Sequence, residues 1–221
     1  MAVPAGYGVL LDGRLAKTPG RRDLIVPTAA LATAVAAEWD AQQGEIRPVA
    51  MPLTGIAIRA IDRVAVEREA VVDQVASFAT TDLVCYRAAH PPVLALRQQA
   101  VWQPLIDWAV LRYDAPLAVT VGVIPSGQPA ASLRALAAAV AEQGDFSLAA
   151  LHAATVASGS LIIALALFEG HLDPAEAFAA SQLDESFQIE AWGEDAEQAE
   201  RRQALAEEIE VAARFVSLLR D

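Results

Sequence analysis

The stretch from residue 146 to 168 has no formally charged residue, and apolar or small side chains occupy every face of a helix drawn through it. A helix that is apolar all round is buried. Asp145 or Ser147 is available as an N-cap and Gly170 suits the C′ position, so the sequence predicts one core helix of about twenty residues. A membrane span is the alternative, and the polar residues 158–160 and the acidic flanks disfavour it.

Strand signals are confined to the first part of the chain. Asp12-Gly13 lies between two apolar runs, which is typical of a β-hairpin turn. Residues 117–124 are rich in β-branched side chains between two prolines and are predicted to form a strand. All recognisable strands precede residue 125, and the rest of the sequence is helical in pattern. We therefore expect an α+β fold, with a small N-terminal domain of antiparallel β-sheet and helices at 1–125 and a mostly helical C-terminal domain at 126–221.

Helix boundaries are also marked. Thr28 can cap a helix, and a helical pattern continues from Thr54 towards Phe78. Pro104 lies inside a third helical pattern and predicts a kink or two helices that meet there. Residues 173–176, with Asp at N-cap, Pro at N1 and Glu at N3, predict a strong helix start.

The chain carries a formal charge of −12, and most of it is near the C-terminus. Residues 173–221 hold thirteen Asp or Glu against four Arg, which leaves −9 there. This balance argues against nucleic-acid binding and favours a partner with an Arg-bearing surface. Cys85 is the single cysteine, so no intrachain disulfide forms, and a reducing internal compartment is expected. Neither a signal peptide nor membrane insertion is predicted.

The sequence offers no recognisable catalytic or cofactor-binding motif. No glycine-rich phosphate loop follows a strand, and the three histidines stand in no metal-ligand spacing with Cys85. Ser158 lacks the strand-to-helix turn of a hydrolase nucleophile. We therefore predict no catalytic residues, no metal and no cofactor.

The acidic segment from residue 181 to 195 is a candidate site for binding or catalysis. Its helical spacing could bring acidic residues and Trp192 to one face, and the alternative is a solvated acidic face with Trp192 in the core. Asp184 and Glu185 could also perform acid–base chemistry in a small hydrolase, which would require a cleft around them. The predicted partner-binding residues are Asp184, Glu185, Glu190, Trp192 and Glu194.

Several sequence blocks occur in a fixed order over nearly the whole chain: LLDGRLAKTP, AAEWDAQQGEI, MPLTGIAIRAIDRV, TTDLVCYRA, RQQAVWQPLIDWA, SGSLIIALAL and LDESFQIEAWGED. Together they resemble the assembly chaperones of the F-type ATP synthase catalytic head that attend the alpha subunit. The resemblance implies a chaperone rather than an enzyme, with two such domains and no cofactor. It implies that the partner is the unassembled alpha subunit, whose aggregation is prevented. The expected location is the bacterial cytoplasm, or the mitochondrial matrix for a eukaryotic mature chain.

Single residues carry over from this resemblance in two places. Trp39 stands at a family position where change is damaging, and we expect it to be a structural aromatic anchor. Asp184 or Glu185 corresponds to an acid implicated in chaperone action, and Ser186 departs from relatives that have another acid there. An acidic interaction module of another assembly pathway is the alternative function.

Overall fold

The computed structural model describes residues 1–4, 6–122 and 127–220. Within these residues, short strands lie mainly near the N-terminus and helices dominate the remainder of the chain, so the predicted α+β class is confirmed. The strands are β1 (Ala2–Val3), β2 (Gly6–Gly8), β3 (Leu10–Leu11), β4 (Arg14–Leu15), β5 (Ile25–Val26), β6 (Tyr86–Arg87) and β7 (Thr120–Val121).

The strands form small sheets. The antiparallel sheet has the order β1-β2-β5, β3 and β4 form a separate hairpin, and β6 pairs with β7 in parallel. Asp12 and Gly13 connect β3 to β4 with φ values of 50° and 76°. Two consecutive positive φ values define the type I′ turn that Asp-Gly favours, so the hairpin prediction is confirmed.

The helices of the described residues are α1 (Ala29–Asp40), α2 (Pro52–Arg59), α3 (Arg68–Ser77), α4 (Pro92–Tyr113), α5 (Ala130–Ala141), α6 (Asp145–Ser158), α7 (Leu161–Phe168), α8 (Pro174–Ser181), α9 (Leu183–Trp192) and α10 (Ala196–Arg220). A π-helical turn, Ala60–Val64, follows α2, and short 3₁₀ turns span Pro48–Ala50, Phe78–Thr81 and Leu83–Cys85. The helix predicted to run from Thr54 towards Phe78 is therefore interrupted.

The apolar stretch forms the centre of the core, but as two helices. Gly159 has a φ of 68°, which ends α6, and the Ser160 side chain accepts a hydrogen bond from the Ile163 N–H to cap α7. The prediction of one continuous helix is therefore wrong, although all eight residues of α7 are buried as expected. None of the helices described here has the length and apolar character to cross a membrane.

The buried carboxylate of Asp82 connects this centre to the N-terminal half. It accepts hydrogen bonds from Ser160 Oγ at 2.5 Å, from the Ile162 N–H at 3.1 Å and from the Val84 N–H at 3.2 Å. Two of these donors belong to the start of α7, and the third belongs to the 3₁₀ turn Leu83–Cys85, which packs on α4. Asp82 therefore holds the start of α7 against the turn Leu83–Cys85, which packs on α4.

Helices from both halves of the sequence share one continuous apolar cluster, because α6 packs against α10, α2, α3 and the π-helical turn. The boundary predicted between residues 125 and 126 lies outside the described residues. The division into domains at 1–125 and 126–221 stays a prediction.

Candidate partner-binding surface

Helix α9 carries most of the predicted partner-binding residues and packs against α4. Leu183 is buried at its start, and the Arg97 guanidinium of α4 lies 5.3 Å from the centroid of the Phe187 ring. Immediately before it, α8 begins with the predicted capping box, in which Asp173 and Glu176 bond each other's backbone N–H, so that prediction is confirmed. The contacts with α4 determine which face of α9 is covered by the rest of the protein.

Asp184 lies on the covered side of α9. Its carboxylate accepts a hydrogen bond of 2.7 Å from Gln98 Nε2, and Gln98 Oε1 accepts one of 2.6 Å from the Ala88 N–H. Gln98 is itself buried. Asp184 therefore belongs to a polar chain that joins α9 to α4 and to the segment after β6.

Glu190 and Glu194 are neutralised by arginines of the same chain. Both carboxylate oxygens of Glu190 lie 2.7 Å from Arg97 Nη1, and this hydrogen bond lowers the pKa of Glu190. Glu194 lies 3.3 Å from Arg202 Nε. Their charges are therefore compensated before any partner arrives.

Glu185 and Trp192 lie on the opposite, outward face of α9. They are seven residues apart, which is close to two helical turns, and Trp192 is 81% exposed. Within the part of the chain that the structure describes, the Glu185 carboxylate makes neither a hydrogen bond nor an ion pair. Of the five predicted residues, Glu185 and Trp192 share this face, while Asp184, Glu190 and Glu194 contact other residues of the chain. The role of all five in partner binding stays a prediction. The alternative that Trp192 lies in the core is wrong.

Trp39 lies half-buried in α1 and packs against the apolar core. Its Nε1 is shielded from solvent and has no acceptor among the described residues. The preceding Glu38 carboxylate accepts hydrogen bonds from the Leu53 N–H at 2.8 Å and from the N–H and hydroxyl of Thr54 at 2.8 and 2.7 Å. This segment thus secures the start of α2, and the damaging effect expected of changing Trp39 stays a prediction.

Sequence reasoning did not identify the outward face of α4, which is apolar. A groove of about 530 Å³ lies at the surface between α4, α8 and α9, and mostly apolar residues line it. The signal in the sequence was that α4 has apolar residues on two opposite faces, whereas a solvated helix has them on one.

The arrangement of the described acidic side chains gives little support for acid–base catalysis or metal binding. The groove beside α9 is lined by Leu183 and Ser186 rather than by Asp184 or Glu185, which point in different directions. In the described ranges, no three His, Cys, Asp or Glu side chains cluster to hold a metal ion. Burial raises the pKa of Cys85 to about 12, so its thiol stays protonated.

Comparisons with known proteins identify the family. The model of the family described as ATP12 chaperone protein matches residues 2–110. Protein atp12, mitochondrial, from Schizosaccharomyces pombe is 25% identical over 197 residues, which cover 84% of this chain and 68% of that protein.

Solved structures agree with this match. The crystal structure of Atp12 from Paracoccus denitrificans has a TM-score of 0.94 and 42% sequence identity, covering 99% of this chain and 94% of that chain. A mutant of the same bacterial protein, in which an aspartate is replaced by lysine, has a TM-score of 0.95 at the same identity and coverage. With this identity over nearly the whole length of both chains, the protein belongs to the ATP12 chaperone family, the ATP synthase assembly chaperones that its sequence blocks resemble.

Proposed function

We propose that this chaperone binds the unassembled alpha subunit of the F-type ATP synthase and prevents its aggregation. A subunit that awaits assembly exposes apolar surfaces that its neighbours later cover, and such surfaces aggregate. The alpha subunit is the partner implied by the sequence resemblance. The predicted place of action is the bacterial cytoplasm, or the mitochondrial matrix in a eukaryote.

The outward face of α9 is the observation that carries this proposal. Trp192 is a large exposed aromatic residue of the kind that dominates binding energy in interfaces. Glu185 adds a negative charge that no residue of the described chain compensates. A positively charged, Arg-bearing region of the alpha subunit would complement this face, because charge complementarity steers encounter and fixes orientation.

The direct test replaces Glu185 with Lys and Trp192 with Ala and measures protection of purified alpha subunit. The alpha subunit is diluted from denaturant in the presence of each chaperone variant, and aggregation is followed by light scattering. Trp192→Ala should weaken binding by about 2 kcal/mol, the size of a hot-spot contribution. Glu185→Lys should slow association and reduce protection, most clearly at low salt.

Glu208→Lys is the matched control, because Glu208 is an exposed carboxylate about 18 Å along α10 from its first residue. It makes the same change in net charge and should protect the alpha subunit as well as the unmodified chaperone does. Asp184→Lys is a poorer test, since it removes the hydrogen bond with Gln98 and disturbs the contact between α9 and α4. Full protection by both the Glu185 and Trp192 variants would contradict the proposal.

A further inference from the structure

Helix α4 is held rigidly on its inner side. Trp102 is fully buried and donates a hydrogen bond of 2.8 Å from Nε1 to the carbonyl oxygen of Ala180 in α8. Leu105, Ile106 and Ala109 continue the same buried face. The outer side of α4 is therefore presented in a fixed position.

Part of that outer side is apolar where a solvated helix is ordinarily polar. Leu96 is 70% exposed and Val93 is 49% exposed, and the exposed Ala100 and Pro104 share their face at helical spacing. From Val93 to Pro104 this stripe extends about 17 Å along the helix, and the exposed Asp107 separates it from Leu111. A contiguous exposed apolar surface of this kind marks an interaction site.

The groove lies along one side of the stripe. Val101, Leu105 and Leu183 are among its apolar lining residues, and its volume of about 530 Å³ falls within the range of about 300–1,000 Å³ that is usual for binding sites. Small residues, Ala100 and Ala179, keep it open.

Two charged residues, Arg97 and Glu176, line the groove. Arg97 is paired with Glu190, which lies outside the lining, so Glu176 is the lining charge that no ion pair compensates among the described residues. Glu176 is exposed, and only one of its oxygens is engaged in the capping box. A basic group in the occupant would therefore be favoured at this position.

We propose that this groove binds an amphipathic helical segment of the alpha subunit, with its apolar face towards Val101 and a Lys or Arg towards Glu176. This inference rests on the proposed function and adds a second contact surface to it. A helix suits the site because its lining residues lie in helices, apart from Leu172 between α7 and α8, and none of them lies in a strand whose edge could support β-augmentation. A second copy of this chain is disfavoured, since each copy carries a charge of −12.

The test uses Ala100→Glu and Val101→Glu, with Val49→Glu as the matched control. Val49 is 90% exposed and lies in the turn Pro48–Ala50, so the control adds the same charge at another exposed apolar position. Affinity for purified alpha subunit is measured for each variant, and circular dichroism verifies folding. Both α4 variants should bind at least about tenfold more weakly, because a charge would be buried against an apolar face, whereas the control should bind normally.

A photo-crosslinking amino acid at Ala100, which lines the groove and is exposed, then identifies the occupant. Capture of an alpha-subunit segment with apolar residues at helical spacing and a flanking Lys or Arg supports the inference. Normal binding by both α4 variants, capture of a segment without a basic residue, or a self-association that Ala100→Glu abolishes would each overturn it. Failure of the unmodified chaperone to bind the alpha subunit at all would instead overturn the proposed function, so the two failures are distinguishable.

Discussion

Replacing the buried Asp82 with Asn should change how the stability of this protein depends on pH. Burial raises the pKa of the Asp82 carboxyl to about 6, from 3.8 in an unperturbed chain, although its hydrogen bonds act in the opposite direction. The folded protein therefore keeps this proton to a higher pH than the unfolded chain does. The stability that Asp82 contributes is complete below pH 3.8 and is lost as the pH rises through about 6.

The size of the effect follows from the two pKa values. A pKa difference of about two between the folded and unfolded chains corresponds to about 3 kcal/mol over the full titration. About half of this change occurs below pH 5, where a protein with a pI near 4.6 is poorly suited to measurement. Between pH 5 and pH 7.5 the expected loss is about 1.4 kcal/mol.

Urea unfolding followed by tryptophan fluorescence at both pH values measures this loss. Asp82→Asn preserves the shape of the side chain and removes its titration, so the unmodified protein should lose about 1.4 kcal/mol more than the variant. His152, whose pKa is lowered by burial, changes stability in the opposite direction over the same range. Because His152 is present in both proteins, its contribution cancels in the comparison. An identical pH dependence in the two proteins would refute the reasoning.

Other substitutions test local structure by urea unfolding followed by circular dichroism. Gly159→Ala should lower the free energy of unfolding by about 1 kcal/mol, because the positive φ of Gly159 is unfavourable for alanine. The added β-carbon would meet no atom within 4 Å, so a much larger loss would indicate a clash that this reasoning does not expect. Asp173→Ala should lower it by about 1 kcal/mol by removing the α8 capping box, and no change would contradict that role. Trp102→Phe should lower it by about 2–4 kcal/mol, since the Ala180 carbonyl loses its donor and volume is left unfilled. Glu38→Gln should lower it by about 1 kcal/mol by weakening the three hydrogen bonds at the start of α2, with a neutral result arguing against a role for the charge.

The features that the sequence predicts well depend on residues that are adjacent in the chain. Asp12-Gly13 makes its turn from its own backbone preferences, and Thr28 caps α1 through the Leu31 N–H three residues away. The capping box of Asp173 and Glu176 is equally local. In each case the physical cause lies within a few residues, so the pattern is sufficient.

The sequence predictions are wrong where the local pattern does not show that a helix is broken, or which group a backbone N–H and carbonyl will bond. Both α6 and α7 are apolar on all sides, so hydrophobic periodicity does not reveal the break at Gly159. The signal was a glycine followed directly by Ser160, a C′ residue and then an N-cap. The strand predicted at 117–124 forms only at Thr120–Val121 among its described residues, because the Ala118 backbone bonds the Gln128 side chain at 2.8 and 3.0 Å instead of another strand.

Pro104 shows a different limit of the sequence pattern. The sequence allowed either a kink or two helices that meet there. Because α4 continues through Pro104 as one helix, the two-helix alternative is wrong, and the kink stays a prediction. The missing N–H leaves the carbonyl of Ala100 without its helical donor. Ala100 is exposed, so water can satisfy that carbonyl and the helix does not need to end.

The candidate surface was only partly predictable, because the partners of its acids are distant in sequence. Gln98 and Arg97 lie 86 and 93 residues before Asp184 and Glu190, to which they bond. No local pattern in α9 indicates that these two carboxylates are engaged while Glu185 is not. The exposed apolar stripe of α4 was missed for the same reason, since its spacing alone does not say which face packs on the core.

The formal charge of −12 is unevenly distributed over the surface, because arginines of the same chain neutralise some acidic residues locally. Acidic residues throughout the described chain are paired with arginines, including Asp62 with Arg22 at 3.1 Å and Glu169 with Arg112 at 2.8 Å, besides the pairs on α9. Screening at physiological salt reduces the remaining exposed charges further. Under the two proposals above, affinity for a client comes mainly from apolar contact with α4 and Trp192, while Glu185 and Glu176 set orientation and the rate of encounter. For an assembly chaperone this division is useful, because apolar contacts can hold an unassembled subunit and yet be displaced by the larger apolar surface of its permanent neighbours.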